Sequence, residues 1–333
     1  MAYVLGGGNN EADGFTTAIA NFALRAMHES QGLVNLTNVV QPTQGNEFLV
    51  PNFAPITYQD YNPAANSGTG NATEQNPALA QGSITASPTV AATAFDVFYA
   101  WTTSFQLAAT LGAELGESFA EKVDQRVAKA FASFKATPGN TMYSASADGF
   151  ARVQELGAME LLPSGATPAA ATAGFTSTTV LEMVRNIKQN FKVARMPGSP
   201  VIVIDSNGDD GVVGSTLNRL LSELTGGAVN NNISALGNEL LSTGMIENIY
   251  GCRVISTTFL SSASRTVDGV ASTSVLVGAY FGDSALFTVI KEGLQIKSGE
   301  KPGGLQAWLT GLGYFGSGVG DLRRGGAINI VQG

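Results

Sequence analysis

The sequence predicts an α+β fold built round one long helix, and three observations carry that reading. Leu111, Leu115, Phe119, Val123, Val127 and Phe131 recur every fourth residue, Phe134 joins them, and no proline interrupts the stretch; that is a helical period. Two strand-like runs, 46–61 and 89–103, flank a stretch with few core-forming residues, the pattern of a long β-hairpin. Over 176–281, helical and extended stretches alternate, as they do in an α/β module.

Taken in order, residues 1–14 are rich in Gly and Asn and read as an extended arm. Phe15 to Ser30 reads as a helix with Ile19, Phe22, Ala23, Ala26 and Met27 on one face. Leu33 to Val40 reads as extended. The outgoing run of the hairpin carries Phe48, Val50, Phe53, Ile56 and Tyr58, with Pro51 and Pro55 among them. Prolines place a strand at an edge or in a twisted ribbon. Residues 62–81 form a low-complexity tip, and the returning run carries Phe95, Val97 and Tyr99. An isolated two-stranded ribbon is marginal in water, so these eight apolar residues are expected to rest on a neighbouring subunit.

The central helix is expected over 111–135. Glu114, Glu117 and Glu121 lie in its first half, and Arg126, Lys129 and Lys135 in its second, which suits the helix dipole. Steps of four overshoot a turn by about 40°, so the apolar stripe spirals through roughly 200° and meets different neighbours at its two ends. Downstream, 150–161 reads as a short helix. A helix over 176–191 has Ser177 and Thr178 as caps and Glu182 behind them. Strands are expected at 201–204, 252–256 and 275–281, and helices at 212–224 and 233–243. At the end, 285–290 and 293–297 read as two strands joined by a turn at Glu292-Gly293. Residues 305–312 read as a bend or short helix, and 323–331 as a last strand.

Composition narrows function more than it names it. With 333 residues and 44% of them hydrophobic, the chain can bury a sizeable core. Only 13% are charged, about half of ordinary usage, so the surface is polar and nearly neutral, compatible with burial against many neighbours. The net charge of −8 argues against a broad basic face gripping nucleic acid. One cysteine, Cys252, excludes an internal disulfide and a multi-cysteine metal site, and one histidine, His28, removes most triad and metal chemistry. No apolar run reaches a membrane span. The start of the chain lacks the pattern of a signal peptide, so folding in a cytoplasm is expected.

No catalytic constellation emerges, and no cofactor or metal is expected. Asp205, Asn207 and Asp209 match the opening of a calcium loop, but the sixth position is Asp210 and the twelfth Thr216, where Gly and Glu are needed. An Asp- and Gly-rich turn between strand and helix is common for capping reasons alone. Gly6-Gly7-Gly8 and Gly316-Ser317-Gly318 lack the flanking pattern of a phosphate loop. Cys252 reads as a small core residue.

The order of parts is arm, hairpin, long helix, Gly/Pro-rich stretch, α/β module, closing strands. Local wording agrees: Thr93-Ala-Phe-Asp-Val-Phe-Tyr99 leads into the long helix, Ser199-Pro-Val-Ile-Val-Ile-Asp205 precedes a Leu-rich helix, and Ile249-Tyr-Gly-Cys-Arg-Val-Ile-Ser256 ends in a Gly-x-x-Val strand. This resembles the major capsid protein of tailed bacteriophages, the Hong-Kong-97-type capsid fold. The resemblance implies an arm at 1–45 and an extended loop at 46–103. It implies a peripheral domain at 104–175 with its spine helix at 111–135, an axial domain at 176–284, and strands at 285–333 completing the peripheral domain.

The same resemblance implies a structural protein, not an enzyme. It would form pentamers and hexamers of itself in an icosahedral virion shell, built in the host bacterial cytoplasm around double-stranded DNA, without sequence-specific binding or a membrane. A separate scaffolding protein, a portal protein and a decoration protein are the implied partners. Some relatives crosslink a lysine to an asparagine, but the spacing of Lys291, Lys297 and Lys301 gives no ground for carrying that over. The rival readings are an encapsulin-like cellular compartment with enzyme cargo, an α/β enzyme with an inserted hairpin, and a secreted filament protein. A cargo-peptide groove, a polar pocket at 205–210 and a secretion route would mark them respectively.

Overall fold

A single helix joins two sheets. The computed structural model describes residues 19–26, 32–42, 45–53, 79–134, 156–161, 176–194, 196–206, 216–225, 248–260, 266–267, 270–271, 276–300 and 306–330. A first helix (α1) covers residues 19–26. A 3-10 turn at Leu33–Leu36 leads into β1 (Asn38–Val40), followed by β2 (Glu47–Phe53), β3 (Leu79–Thr85) and β4 (Ser87–Asp96). The long helix α2 (Val97–Phe131) comes next, about 52 Å at 1.5 Å per residue. Then follow β5 (Met159–Leu161), β6 (Thr176–Ser177), α3 (Val180–Val193), β7 (Val201–Asp205) and α4 (Thr216–Thr225). The chain closes with β8 (Asn248–Ile249), β9 (Cys252–Thr257), β10 (Thr266–Val267), β11 (Val270–Ala271), β12 (Leu276–Phe281), β13 (Leu286–Glu300), β14 (Gln306–Val319) and β15 (Gly325–Ile330).

One sheet has the order β1-β13-β14-β4, and the other β6-β5-β15-β12-β7-β9-β8. β2 and β3 pair antiparallel as a separate hairpin, and β10 pairs with β11. The spiral stripe of α2 does what its period predicts. Leu111, Leu115 and Phe119 pack with Ile19, Ala20 and Ala23 of α1 and with Leu294 and Leu309 of the first sheet. Val123 joins Val34 and Phe315. Val127, Phe131 and Phe134 are sealed against Val203, Ala279, Phe281 and Ala327 of the second sheet. The Phe131 and Phe281 rings stack at 5.7 Å. The helix is buried successively by a helix, one sheet and another, so it fixes their mutual position.

Tight crossings depend on missing side chains. A Cβ on Gly116 would sit 2.1 Å from the Ala23 carbonyl oxygen, and one on Gly112 would sit 2.6 Å from Phe22 Cβ. The two glycines lie one turn apart, and the backbone of α1 runs along the strip they leave. On the far face of the second sheet, α3 and α4 cover Ile202, Ile204, Val277 and Tyr280. β12 is buried along its whole length, as a central strand covered on both faces is. The N-terminus of α3 is fully satisfied. Thr179 Oγ1 accepts from Glu182 N–H at 3.1 Å, and Glu223 of α4 accepts from Val180 and Leu181 N–H at 3.0 Å each.

Several expectations need correction. The long helix starts at Val97, not at 111, and its last turn tightens into i→i−3 bonds at 132–134 instead of continuing to Lys135. The returning strand of the hairpin is Leu79–Thr85, inside and just beyond the expected tip, and not 89–103. Ser87–Asp96 is a strand, but its partner is β14. Phe98, Tyr99 and Trp101 favour strands by local propensity, yet they continue the helix from Val97. The turn at Glu292-Gly293 is a pair of register shifts within one strand, β13. Residues 306–319 are a strand and not a bend; their glycines imitate a loop because they carry no side chain to reveal a period. Residues 159–161 are a strand, and the N-cap of α3 is Thr179 rather than Ser177 or Thr178. The arm at 1–14, most of the loop tip, His28, Gly6–Gly8, the helix at 233–243 and the turn residues 207–210 lie outside the described residues.

Candidate assembly surface

The base of the β2–β3 hairpin is fastened to the first sheet. Val50 and Ile84 are buried with Ala86 and Val289, and Phe48, Phe287 and Tyr314 close the cluster. The Phe48 and Phe287 rings lie 6.0 Å apart. A Cβ on Gly316 would fall 2.2 Å from the Thr85 carbonyl oxygen, so β3 crosses β14 where no side chain stands in the way. Lys291 Nζ donates to Asn46 Oδ1 at 2.8 Å and lies 5.1 Å from the centre of the Tyr314 ring. The Asn46 carbonyl in turn accepts from Ala86 N–H at 2.8 Å. Both ends of the hairpin are thereby tied to β13 and β14.

A second fastening lies beneath it. The Arg126 guanidinium stands 4.4 Å over the Phe315 ring and donates to the Phe315 carbonyl and, at 3.2 Å, to that of Ser87. One guanidinium nitrogen serves both carbonyls while the planar group lies over the ring. Two residues earlier, the buried Asp124 carboxylate accepts from Gly32 and Val34 N–H at 3.0 Å each and so holds the turn at 33–36. Burial pushes the Asp124 carboxyl above its ordinary range, and the backbone donors at Gly32, Leu33 and Val34 pull against that shift.

The expected contact residues fall in different places. Val50 is buried and Phe48 half-buried within this chain, and the residue of β2 that faces outward is Leu49, 49% exposed. Phe53 ends β2, Phe95 lies in β4, and Val97 and Tyr99 lie in the first turn of α2. The hairpin therefore does not carry all eight. Ile56 and Tyr58 lie outside the described residues. The sequence reading missed Lys291, Asn46 and Arg126, because their partners are distant in the chain and no local pattern announces them.

Chemistry elsewhere is sparse. Among the described residues no group of three or more His, Cys, Asp and Glu could hold a metal ion, and no helix is long and apolar enough to cross a membrane. Asp205 is buried at the end of β7. Cys252 is buried in β9, and its thiol is pushed up by desolvation. The Tyr280 hydroxyl is buried, donates to the Gly157 carbonyl and is pushed up as well. These are groups of the core.

A family model described as phage capsid protein matches residues 102–329, from α2 to the last strand. The chain belongs to this phage capsid protein family. As a capsid protein it is a shell-forming structural subunit, and its place is the virion shell. The fold agrees. The capsid of the cyanophage P-SCSP1u superposes with a TM-score of 0.59 at 16% identity, over 90% of this chain and 87% of that one. The mature capsid of bacteriophage PhiM1 gives 0.57 at 14% identity, over 91% and 87%. A virus-like particle from Pyrococcus furiosus gives 0.50 at 9% identity, over 94% and 98%. At such identities the likeness speaks for the fold, which is the Hong-Kong-97-type capsid fold. No curated protein sequence matches the chain.

Proposed function

We propose that this capsid protein is the major head subunit of a tailed double-stranded DNA bacteriophage, assembling as pentamers and hexamers into an icosahedral shell. The observation that carries the reading is the family match over residues 102–329, from the long helix to the final strand. The helix that ties both sheets together, α2, would carry strain across the subunit when a precursor shell matures. The unit around β7, β9, β12, α3 and α4 would be the axial domain. The four-stranded sheet with α2 would be the peripheral domain, and the hairpin the extended loop. Phe53, Ile56 and Tyr58, beyond the fastened base, would meet the neighbouring subunit together with the outward Leu49. The net charge of −8 suits a shell that contains DNA without gripping it. Scaffolding, portal and decoration proteins would be separate chains, with assembly in the bacterial cytoplasm.

The fold is shared with a virus-like particle from Pyrococcus furiosus, and the second reading is a closed cellular compartment holding protein cargo. The contents of purified particles separate the two. Nuclease-protected double-stranded DNA of uniform length is expected from the producing cells. Particles that hold one enzyme and no protected DNA would overturn the phage-head reading in favour of the compartment.

A further inference from the structure

The β2–β3 hairpin rests on a surface that offers little to set its direction. Gly316 and Gly318 of β14, and Gly320 just past its end, are spaced by two, which puts them on one face. A Cβ on each would meet the Thr85 carbonyl oxygen at 2.2 Å, Ile84 at 3.0 Å and Val50 at 3.2 Å respectively. The hairpin thus lies on a track without side chains. Its apolar contacts there hold it down, but apolar attraction is non-directional, and glycines give it nothing to interlock with. Directional bonds occur at the two roots, Asn46 before β2 and Ser87 after β3. Each root receives one cation. Lys291 Nζ donates to Asn46 Oδ1 at 2.8 Å, and Arg126 Nη1 donates to the Ser87 carbonyl at 3.2 Å.

The register of β13 explains how Lys291 comes to be there. Ile290 stands opposite Phe315 and Glu292 opposite Tyr314, so Lys291 is the extra residue of a bulge. A bulge re-aims a side chain out of the strand's alternation, and here Lys291 meets Asn46 with the Tyr314 ring 5.1 Å away. Arg126 is held at the same point of the sheet, because its other acceptor is the carbonyl of Phe315, the partner of Ile290. We infer that Lys291 and Arg126 are positioning residues that fix the direction in which the hairpin leaves the subunit, and through it the geometry of the assembled shell. The inference rests on the proposed reading of the hairpin as the loop that reaches a neighbouring subunit. The ribbon acts as a lever. The seven residues of β2 span about 24 Å at about 3.4 Å each, so about 10° of slack at the root moves the far end by roughly 4 Å, close to one strand spacing. The Lys291–Asn46 bond is exposed, so it directs the ribbon while adding little to the stability of the subunit.

The test uses the full-length, unassembled subunit with nitroxide labels at Ala80→Cys, near the far end of β3 opposite Asn52, and Glu117→Cys, exposed on α2. Lys291→Met keeps the side-chain stem and removes the donor. The distance distribution between the labels, read by double electron–electron resonance, should widen at least twofold, while the melting temperature stays that of the unaltered chain. Lys291→Arg, which keeps a cationic donor, should restore the narrow distribution, and Arg126→Met should widen it as Lys291→Met does. In assembly, the share of particles with the unaltered diameter should fall by at least half in both methionine variants. An unchanged distribution in Lys291→Met would overturn the inference whatever the particles look like. A widened distribution with unaltered particles would uphold the positioning role and overturn the reading of the hairpin as the loop that reaches a neighbour.

Discussion

Asp124 is the clearest case of a single residue whose ionisation opposes folding. Its carboxyl is raised by burial, so the folded chain holds that proton more tightly than the unfolded one. Folding therefore takes up a proton between the ordinary carboxylate value and the raised one, and this contribution to stability falls as pH rises through that window. Glu182 runs the other way. The hydroxyl and N–H of Thr178 hold its carboxyl low, so its contribution is present at neutral pH and is lost as pH falls through the lowered value. Unfolding followed between pH 3 and 7 should show Glu182→Gln flattening the acid-side loss. Asp124→Asn should remove the opposite slope. Asp124→Asn also leaves one of the Gly32 and Val34 N–H groups without its acceptor, so hydrogen exchange in the turn at 33–36 should speed up. An Asp124→Asn variant with unchanged exchange and an unchanged pH profile would contradict this account of the turn at 33–36.

At the scale of elements, two close crossings set the geometry: α1 on α2 at Gly112 and Gly116, and β3 on β14 at Gly316. Gly116→Ala should cost about 1–3 kcal/mol through overpacking and speed hydrogen exchange selectively in α1. Gly316→Ala should do the same in β3. Gly293, where an added Cβ would meet nothing within 4 Å, is the control, and Gly293→Ala should leave both regions unchanged. Equal exchange in all three variants would sink the idea that these crossings are steric. The same elements explain what could be read from the sequence. The stripe from Leu111 to Phe134 is local, so its period and its change of neighbours are written in consecutive turns. The pairing of β4 with β14 joins segments far apart in the chain, such as Val90 with Leu312. β14 looks like a loop because Gly311, Gly313, Gly316 and Gly318 leave it no apolar rhythm. The hairpin was legible as a hairpin, but its return strand, Leu-Ala-Gln-Gly-Ser-Ile-Thr, is too poor in β-branched and aromatic residues to announce itself. The fastening by Lys291, Asn46 and Arg126 had no sequence signal at all.

For the whole molecule, the organising fact is that α2 is packed against α1 and the first sheet at one end and against the second sheet at the other. The helix thereby fixes the placement of the two sheets relative to one another within the subunit. The most direct test of the central claim is electron microscopy of the purified full-length protein, expressed alone and with a scaffolding partner. Closed shells with fivefold vertices are predicted, their walls one subunit thick. A uniformly monomeric protein under both conditions would contradict it.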